Sequence, residues 1–320
     1  MSKIRWGIIG TGKIALRFAS DLQYAPDAEL SGVAGRNLPN VRKFAEEFQT
    51  TAFQTYDELL NSDADVIYVA TPHSSHLEHS LRAIRAGKAV LCEKPFAINC
   101  SQTEKILEAA KSKNVFVMEA MWTRFFPAIR EVLSLVKSGE LGSILRIETS
   151  FGYESSFDPL SRIFDPALGG GSLLDVGIYP LALTHMLLEE SPAEIVASGK
   201  LSSTGVDESV SWAMTYSSGT RFLGESSVVN VLANEAVITG SDGEIRIPQF
   251  WCPKEYTLNG VTRSFDFPGR GFQFEALEVM RCLREGIMES PLQTHANSLH
   301  VMRQMESIRK MIGVRYPQDL

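Results

Sequence analysis

The stretch from residue 3 to residue 15, KIRWGIIGTGKIA, constrains the fold more than any other. An apolar strand breaks into glycines and passes at once into a segment carrying Ala15, Phe18, Ala19 and Leu22 at helical spacing. Strand, glycine turn and helix in that order open a parallel sheet, because the helix is the crossover that returns the chain for the next parallel strand. Within the turn, Gly10, Gly12 and Ala15 form GxGxxA, the small-residue version of the dinucleotide fingerprint. Gly10 permits the tight turn, Gly12 lets the backbone approach a pyrophosphate, and Ala15 allows close helix–strand packing. Thr11, Lys13 and Ile14 complete the loop and are expected to touch the same cofactor.

A second strand, residues 29–36, follows at the distance a βαβ unit requires, and its end is where an adenosine ribose belongs. NAD enzymes place an acid there, whereas this chain has Gly35, Arg36 and Asn37. No carboxylate repels a 2′-phosphate and a guanidinium is available to pair with it, so NADP is the expected cofactor, with NAD as the weaker alternative. A further repeat comprises a strand over residues 65–70, a turn at Thr71 and Pro72, a helix to about Ala86 and a strand over residues 89–92. Ligands in such sheets lie off the carboxyl ends of the strands, where Thr71-Pro72 and Glu93-Lys94-Pro95 both fall. An almost continuous apolar run delivers Lys94 to that edge, and Pro95 restricts its backbone to extended geometry. The expectation is an ammonium aimed at the cofactor, with Glu93 as its structural partner. His73, His76 and His79 rotate around their helix in steps of three, so no metal site is expected.

A chain of 320 residues with 44% hydrophobic content can bury the cores of about two domains. Its net charge of -7, without a Lys/Arg block, argues against a nucleic-acid partner. Cys92, Cys100, Cys252 and Cys282 are scattered without CxxC or zinc-ligand spacing, so neither disulfides nor zinc are expected. No signal-type segment and no run of about 18 apolar residues stands out, which predicts a cytoplasmic protein with no membrane span.

After MEAMWTRFFP the alternation of strand and helix gives way to a helix over residues 128–138 and a string of alternating β segments, with helices again at residues 272–285 and 297–311. The fold class expected is α/β: a Rossmann domain with a doubly wound parallel sheet over residues 1–121, then an α+β domain with a large, mostly antiparallel open sheet over residues 122–320. The richest segment of the second domain is LGGGSLLDVGIYPLALTHML, residues 168–187, where Ser172 is expected to cap an apolar helix. On that helix Asp175 and Tyr179 fall on one face.

Gly10-Thr11-Gly12, Thr71-Pro72 followed by His76, and the triplet Glu93-Lys94-Pro95 resemble the glucose-fructose oxidoreductase, inositol dehydrogenase and MocA-like family of NAD(P)-dependent oxidoreductases. The resemblance implies that Lys94 is an active-site residue near the nicotinamide and that Thr71, Pro72, His76 and Glu93 lie against the cofactor. The family pattern GGGxxxDxGxH is matched from Gly169 onward, except that Tyr179 stands where many members carry histidine. That tyrosine, together with EAMWTRFFP, FWCPKE and the C-terminal IGVRYPQD, resembles the branch of the family that acts on sugars and cyclic trans-diols. The implied catalytic residues are Lys94, Asp175 and Tyr179, and the implied substrate-site residues add Trp122, Arg124, Phe151 and Trp251. Association as a homodimer or higher homo-oligomer through the open sheet is likewise implied.

Oxidising a secondary alcohol requires an acceptor for the hydroxyl proton as hydride departs to the nicotinamide. A tyrosine ordinarily ionises near pH 10, but an ammonium about 4 Å away at an effective dielectric of about 20 favours the phenolate by roughly 4 kcal/mol. The expected roles are therefore Tyr179 as proton acceptor, Lys94 as its activator or as a hydrogen-bond donor to the substrate oxygen, and Asp175 as an orienting group. A keto-sugar reductase would use identical residues in reverse. A non-catalytic NAD(P)-sensing regulator would need no proton acceptor.

Overall fold

The structure, a computed structural model, describes residues 3–319. In chain order its elements are β1 (Ile4–Ile9), α1 (Lys13–Leu22), β2 (Ala28–Ala34), α2 (Leu38–Phe48), β3 (Thr51–Ala52), α3 (Tyr56–Leu60), β4 (Val66–Val69), α4 (His76–Arg85), β5 (Ala89–Glu93), α5 (Cys100–Lys113) and β6 (Val117–Ala120). There follow α6 (Pro127–Lys137), β7 (Ile144–Gly152), α7 (Ile178–Leu188), β8 (Glu194–Leu201), β9 (Asp207–Thr215), β10 (Arg221–Ser227), β11 (Glu235–Gly240), β12 (Glu244–Pro248), β13 (Glu255–Leu258), β14 (Val261–Ser264), α8 (Phe272–Glu285) and α9 (His295–Ile312).

The chain divides into two compact units. The first holds a six-stranded sheet in the order β3-β2-β1-β4-β5-β6, with every neighbouring pair parallel. This is the doubly wound order, with the strand sequence reversing between β1 and β4 and leaving a crevice at the carboxyl ends of those strands. Residues 66–69 and 89–93 are buried throughout, which explains their unbroken apolar runs: helices cover both faces of the sheet. On α1 the buried set includes Ala15, Phe18, Ala19 and Leu22, the residues whose spacing predicts the helix.

The first unit does not end at residue 121, because Phe267–Ser298 also belongs to it. The link is a buried carboxylate: Asp21 on α1 accepts from the backbone N–H groups of Arg270 (2.7 Å) and Phe272 (3.1 Å), satisfying donors at the start of α8. A single cut between residues 121 and 122 therefore does not describe how the chain packs.

In the second unit an eight-stranded sheet runs β14-β13-β12-β11-β7-β10-β9-β8. Its pairs are antiparallel except β7 with β10. One face packs on α7. The helical stretch Pro166–Leu188 is long and apolar enough to cross a membrane by length and composition alone, although no such run was expected; 89% of its apolar window is buried, so it is the core helix of this unit. Leu173–Gly177 forms a π turn at its start, an insertion that recurs at functional sites.

Candidate active site

Four features of the first unit build a cofactor cradle. Gly10 has φ +119°, and a Cβ there would stand 2.3 Å from the carbonyl oxygen of Ala70, so only glycine lets β1 turn this close to β4. Gly12 precedes α1, and a Cβ there would meet nothing within 4 Å, leaving open space over the N-terminal amides of the helix. At the end of β4 the Thr71 hydroxyl is buried without a partner among the described residues. At the end of β2 a Cβ on Gly35 would approach Val41 Cγ2 to 3.3 Å, and Arg36 beside it is exposed. A dinucleotide fits this donor set: phosphate over the amides at Gly12, an acceptor for Thr71, and no carboxylate at the ribose end. Thr11, Lys13 and Ile14 continue the same loop into α1. Asn37 caps α2 by accepting from Asn40 N at 3.0 Å.

Lys94 is held by its neighbours. The Lys94–Pro95 bond is cis. The fully buried His76 ring lies between two carbonyls, with Nδ1 2.8 Å from Pro95 O and Nε2 2.9 Å from Thr71 O. Burial pulls His76 down to about 4, so at neutral pH the ring is uncharged and donates to one of the two. The Phe96 N–H donates to Glu119 Oε1 at 2.9 Å. His76 thus ties the turn after β4, Thr71-Pro72, to the turn after β5. Glu93 points inward: Tyr68 donates its hydroxyl to Glu93 Oε1, and Lys94 N donates to Oε2 at 3.2 Å. Burial raises the Glu93 carboxyl. Trp122 stacks on Phe272, with ring centroids 4.3 Å apart. Of the other two histidines near His76, His73 packs edge-on against it and His79 edge-on against Tyr56.

In the second unit the three glycines set up the core helix. A Cβ on Gly170 would lie 2.5 Å from Ile163 O and one on Gly171 (φ +111°) 2.3 Å from Asp207 Oδ1. Ser172 is not the cap expected of it. Its hydroxyl donates to Asp207 Oδ2 at 2.7 Å, and the same oxygen accepts from Leu173 N at 2.7 Å. The Asp207 carboxyl group, from β9, accepts from both and takes over the capping role.

Asp175 sits within the π turn, buried, and two side chains engage it. Tyr153, just past β7, donates its hydroxyl to Oδ2 at 2.5 Å, and Arg162 donates to Oδ1 at 2.8 Å. Tyr179, one turn on, lies 5.6 Å from the Phe151 ring, and Phe151 stacks on Trp251 at 3.7 Å with an interplanar angle of 11°. Asp175, Tyr179, Phe151 and Trp251 are therefore assembled in one unit: a carboxylate and a phenol beside an aromatic wall. Thr123 secures Trp251 by donating to its carbonyl oxygen at 2.7 Å. Arg124 lies in the short 3-10 turn Trp122–Phe125 and belongs to the second unit. Tyr153 and Arg162 are absent from the sequence-based set; the signal for them is that a buried carboxylate on an apolar helix needs partners.

A parallel sheet with a glycine-lined cradle at its switch point, and a second unit presenting an acid, a phenol and an aromatic wall, define a nucleotide-dependent oxidoreductase. Residues 4–121 match the profile described as "Oxidoreductase family, NAD-binding Rossmann fold", and residues 129–246 match the "GFO/IDH/MocA C-terminal domain". The chain belongs to the GFO/IDH/MocA family, as a nicotinamide-dependent dehydrogenase acting on CH–OH groups. It is 36% identical to the trans-1,2-dihydrobenzene-1,2-diol dehydrogenase of Xenopus tropicalis, with 98% of this chain and 99% of that one covered. The enzyme of the same name from Homo sapiens is 34% identical over 99% of both chains. Among solved structures, the aldose-aldose oxidoreductase of Caulobacter crescentus superposes with a TM-score of 0.88 at 25% identity, covering 97% of each chain. The 3-ketoreductase KijD10 of Actinomadura kijaniata shares the fold, with a TM-score of 0.87 at 24% identity over 97% of this chain and 98% of its own.

Proposed function

We propose that this enzyme oxidises a secondary alcohol of a sugar or cyclic trans-diol with NADP, using Tyr179 as proton acceptor and Lys94 as the cation that activates it or holds the substrate oxygen. The observation that carries the reading is a buried, doubly held carboxylate, Asp175, four residues before a tyrosine, Tyr179, whose ring lies near the stacked pair of Phe151 and Trp251. Phe151 and Trp251 offer the flat apolar surface on which one face of a sugar ring or a dihydrodiol packs, while Asp175 and Tyr179 supply polar groups at its edge. The curated relatives named for dihydrodiol oxidation, similar along nearly the whole chain, support the same substrate class.

The nicotinamide cofactor, when bound, accepts the hydride. The chain's own residues do the rest. Gly10, Thr11, Gly12, Lys13 and Ile14 would hold the pyrophosphate, Thr71, Pro72 and Glu93 would border the nicotinamide end, and His76 keeps the turns behind them fixed. Arg36, with Asn37 beside it, would pair with a 2′-phosphate, and the crowding at Gly35 leaves no easy room for the ribose-binding acid of an NAD enzyme. Lys94, delivered by β5, would stabilise the Tyr179 phenolate or the substrate oxygen, and Asp175 would orient the lysine or a sugar hydroxyl. Trp122 and Arg124 would contact the substrate. In the reducing direction Tyr179 gives the proton back, so a keto-sugar substrate would use the same groups.

Homodimerisation through the open face of the eight-stranded sheet belongs to the same reading. That face carries a concavity of about 740 Å³ lined in part by Trp212, Val196 and Leu223, and the last two are 55% and 44% exposed. The test of function is a panel of aldoses, inositols and trans-diols with NADP and NAD, followed by reduced-cofactor absorbance. Turnover of a sugar or diol with NADP preferred is the expected result; turnover confined to another alcohol class, or NAD preferred, would overturn the assignment.

A further inference from the structure

Asp175 poses a difficulty for the tyrosine it accompanies. It is buried, with its side chain 9% exposed, and it lies one helical turn before Tyr179. An anion so placed opposes the formation of a second anion at the Tyr179 hydroxyl. Arg162 answers this. Its guanidinium donates to Asp175 Oδ1 at 2.8 Å while remaining 54% exposed, and it lies within electrostatic range of Tyr179. Tyr153 holds the other carboxylate oxygen at 2.5 Å, so the carboxylate is fixed at both ends.

We propose that Arg162 is a positioning residue of the active site: by pairing with Asp175 it cancels the charge beside Tyr179 and keeps the tyrosine able to release its proton near neutral pH. This rests on the reading of Tyr179 as proton acceptor. Three other titratable groups in this part of the second unit have partners of their own. Tyr153 is bound to Asp175, and burial followed by the neighbouring Asp175 charge pushes its phenol up, out of contention as a base. Asp207, on the strand beneath, is occupied by Ser172 and Leu173, and the buried Tyr316 donates its hydroxyl to Gly170 O at 2.5 Å. The pair also assigns Asp175 a cost and a benefit: its charge aims Arg162, and Arg162 makes that charge harmless.

The experiment is a difference-absorbance titration of phenolate in the full chain, with each background paired with its Tyr179→Phe counterpart so that the signal of Tyr179 alone remains. Arg162→Gln should move the Tyr179 midpoint up by about one pH unit, roughly a tenfold loss of phenolate at a given pH. Arg162→Lys, which keeps the charge, should move it much less, and adding Asp175→Asn to Arg162→Gln should bring it back. The oxidation limb of the pH–kcat/KM profile should follow the same order. A folded Arg162→Gln with an unmoved midpoint, or a double variant that stays shifted, would overturn the proposal. Should Arg162→Gln fail to fold, Asp175→Asn alone decides: the midpoint must fall, and a midpoint that is unchanged or raised contradicts the pairing. Retained turnover in Tyr179→Phe would remove the base role without altering these midpoints, which separates the two claims.

Discussion

Lys94 illustrates how much backbone fixation a single side chain requires. Its neighbours are tied by His76 to Pro95 O, by Glu119 to Phe96 N and by Tyr68 to Glu93, so its ammonium leaves a turn with little freedom. Lys94→Ala should abolish turnover while preserving the melting temperature; near-normal kcat with a greatly lowered melting temperature would mark it as structural. Arg36→Ala should weaken NADP binding by about 1 to 3 kcal/mol and leave NAD unaffected, as a titration with each cofactor would show. Glu275, also in the first unit, is fully buried, and neither of its carboxylate oxygens has a hydrogen-bond partner among the described residues. Burial, then the charge of Glu93, pushes its carboxyl well above the ordinary value of 4.5. The folded chain therefore keeps a proton that the unfolded chain releases, and its contribution to stability is present below the ordinary glutamate range and lost as pH rises toward the folded value. Glu275→Gln, which cannot ionise, should match the wild type in melting temperature near about pH 4 and gain on it as pH rises. A melting difference that stays flat across pH would contradict this.

At the scale of elements, the GGG segment and its capping partner decide where the core helix of the second unit starts. Gly171→Ala would combine a left-handed φ with a collision against Asp207, whereas Gly205→Ala at φ +90° meets nothing within 4 Å. Thermal denaturation should therefore show Gly171→Ala destabilised by more than the roughly 1 kcal/mol of backbone strain expected at Gly205; equal losses would remove the close approach from the account. The same segment shows what the sequence made legible. Its glycines, its apolar helix and the four-residue spacing of Asp175 and Tyr179 are readable because each is a local pattern. The capping role of Asp207, 35 residues from Ser172, is not local and is invisible without the fold. Tyr153 and Arg162 lie in irregular chain where no periodicity marks them. The short or exposed strands β3, β13 and β14 lack the inside–outside alternation by which a half-buried strand is recognised, and β8 keeps it only over its first half.

Across the whole molecule, the parallel sheet was legible from the strand–glycine–helix repeats, and the antiparallel sheet from its succession of alternating segments. The return of Phe267–Ser298 to the first unit was not, because its contacts are distant in sequence: buried Asp21 meets backbone donors 249 and 251 residues away, and Phe272 stacks on Trp122. The open face of the second sheet exposes Val196 and Leu223, and the proposed homodimer should bury them. Sedimentation should give a dimer for the wild type and a shift toward monomer for Leu223→Arg; a monomeric wild type would contradict the proposal.

The central claim is that Tyr179 accepts the substrate proton, and Tyr179→Phe tests it most directly because it removes the hydroxyl while keeping the ring that packs near Phe151. Steady-state kinetics with the best substrate of the panel should show kcat lower by about 10² to 10⁴, with cofactor affinity and melting temperature little changed. A Tyr179→Phe enzyme that retains most of its kcat would contradict the account and leave Tyr179 as packing beside Phe151.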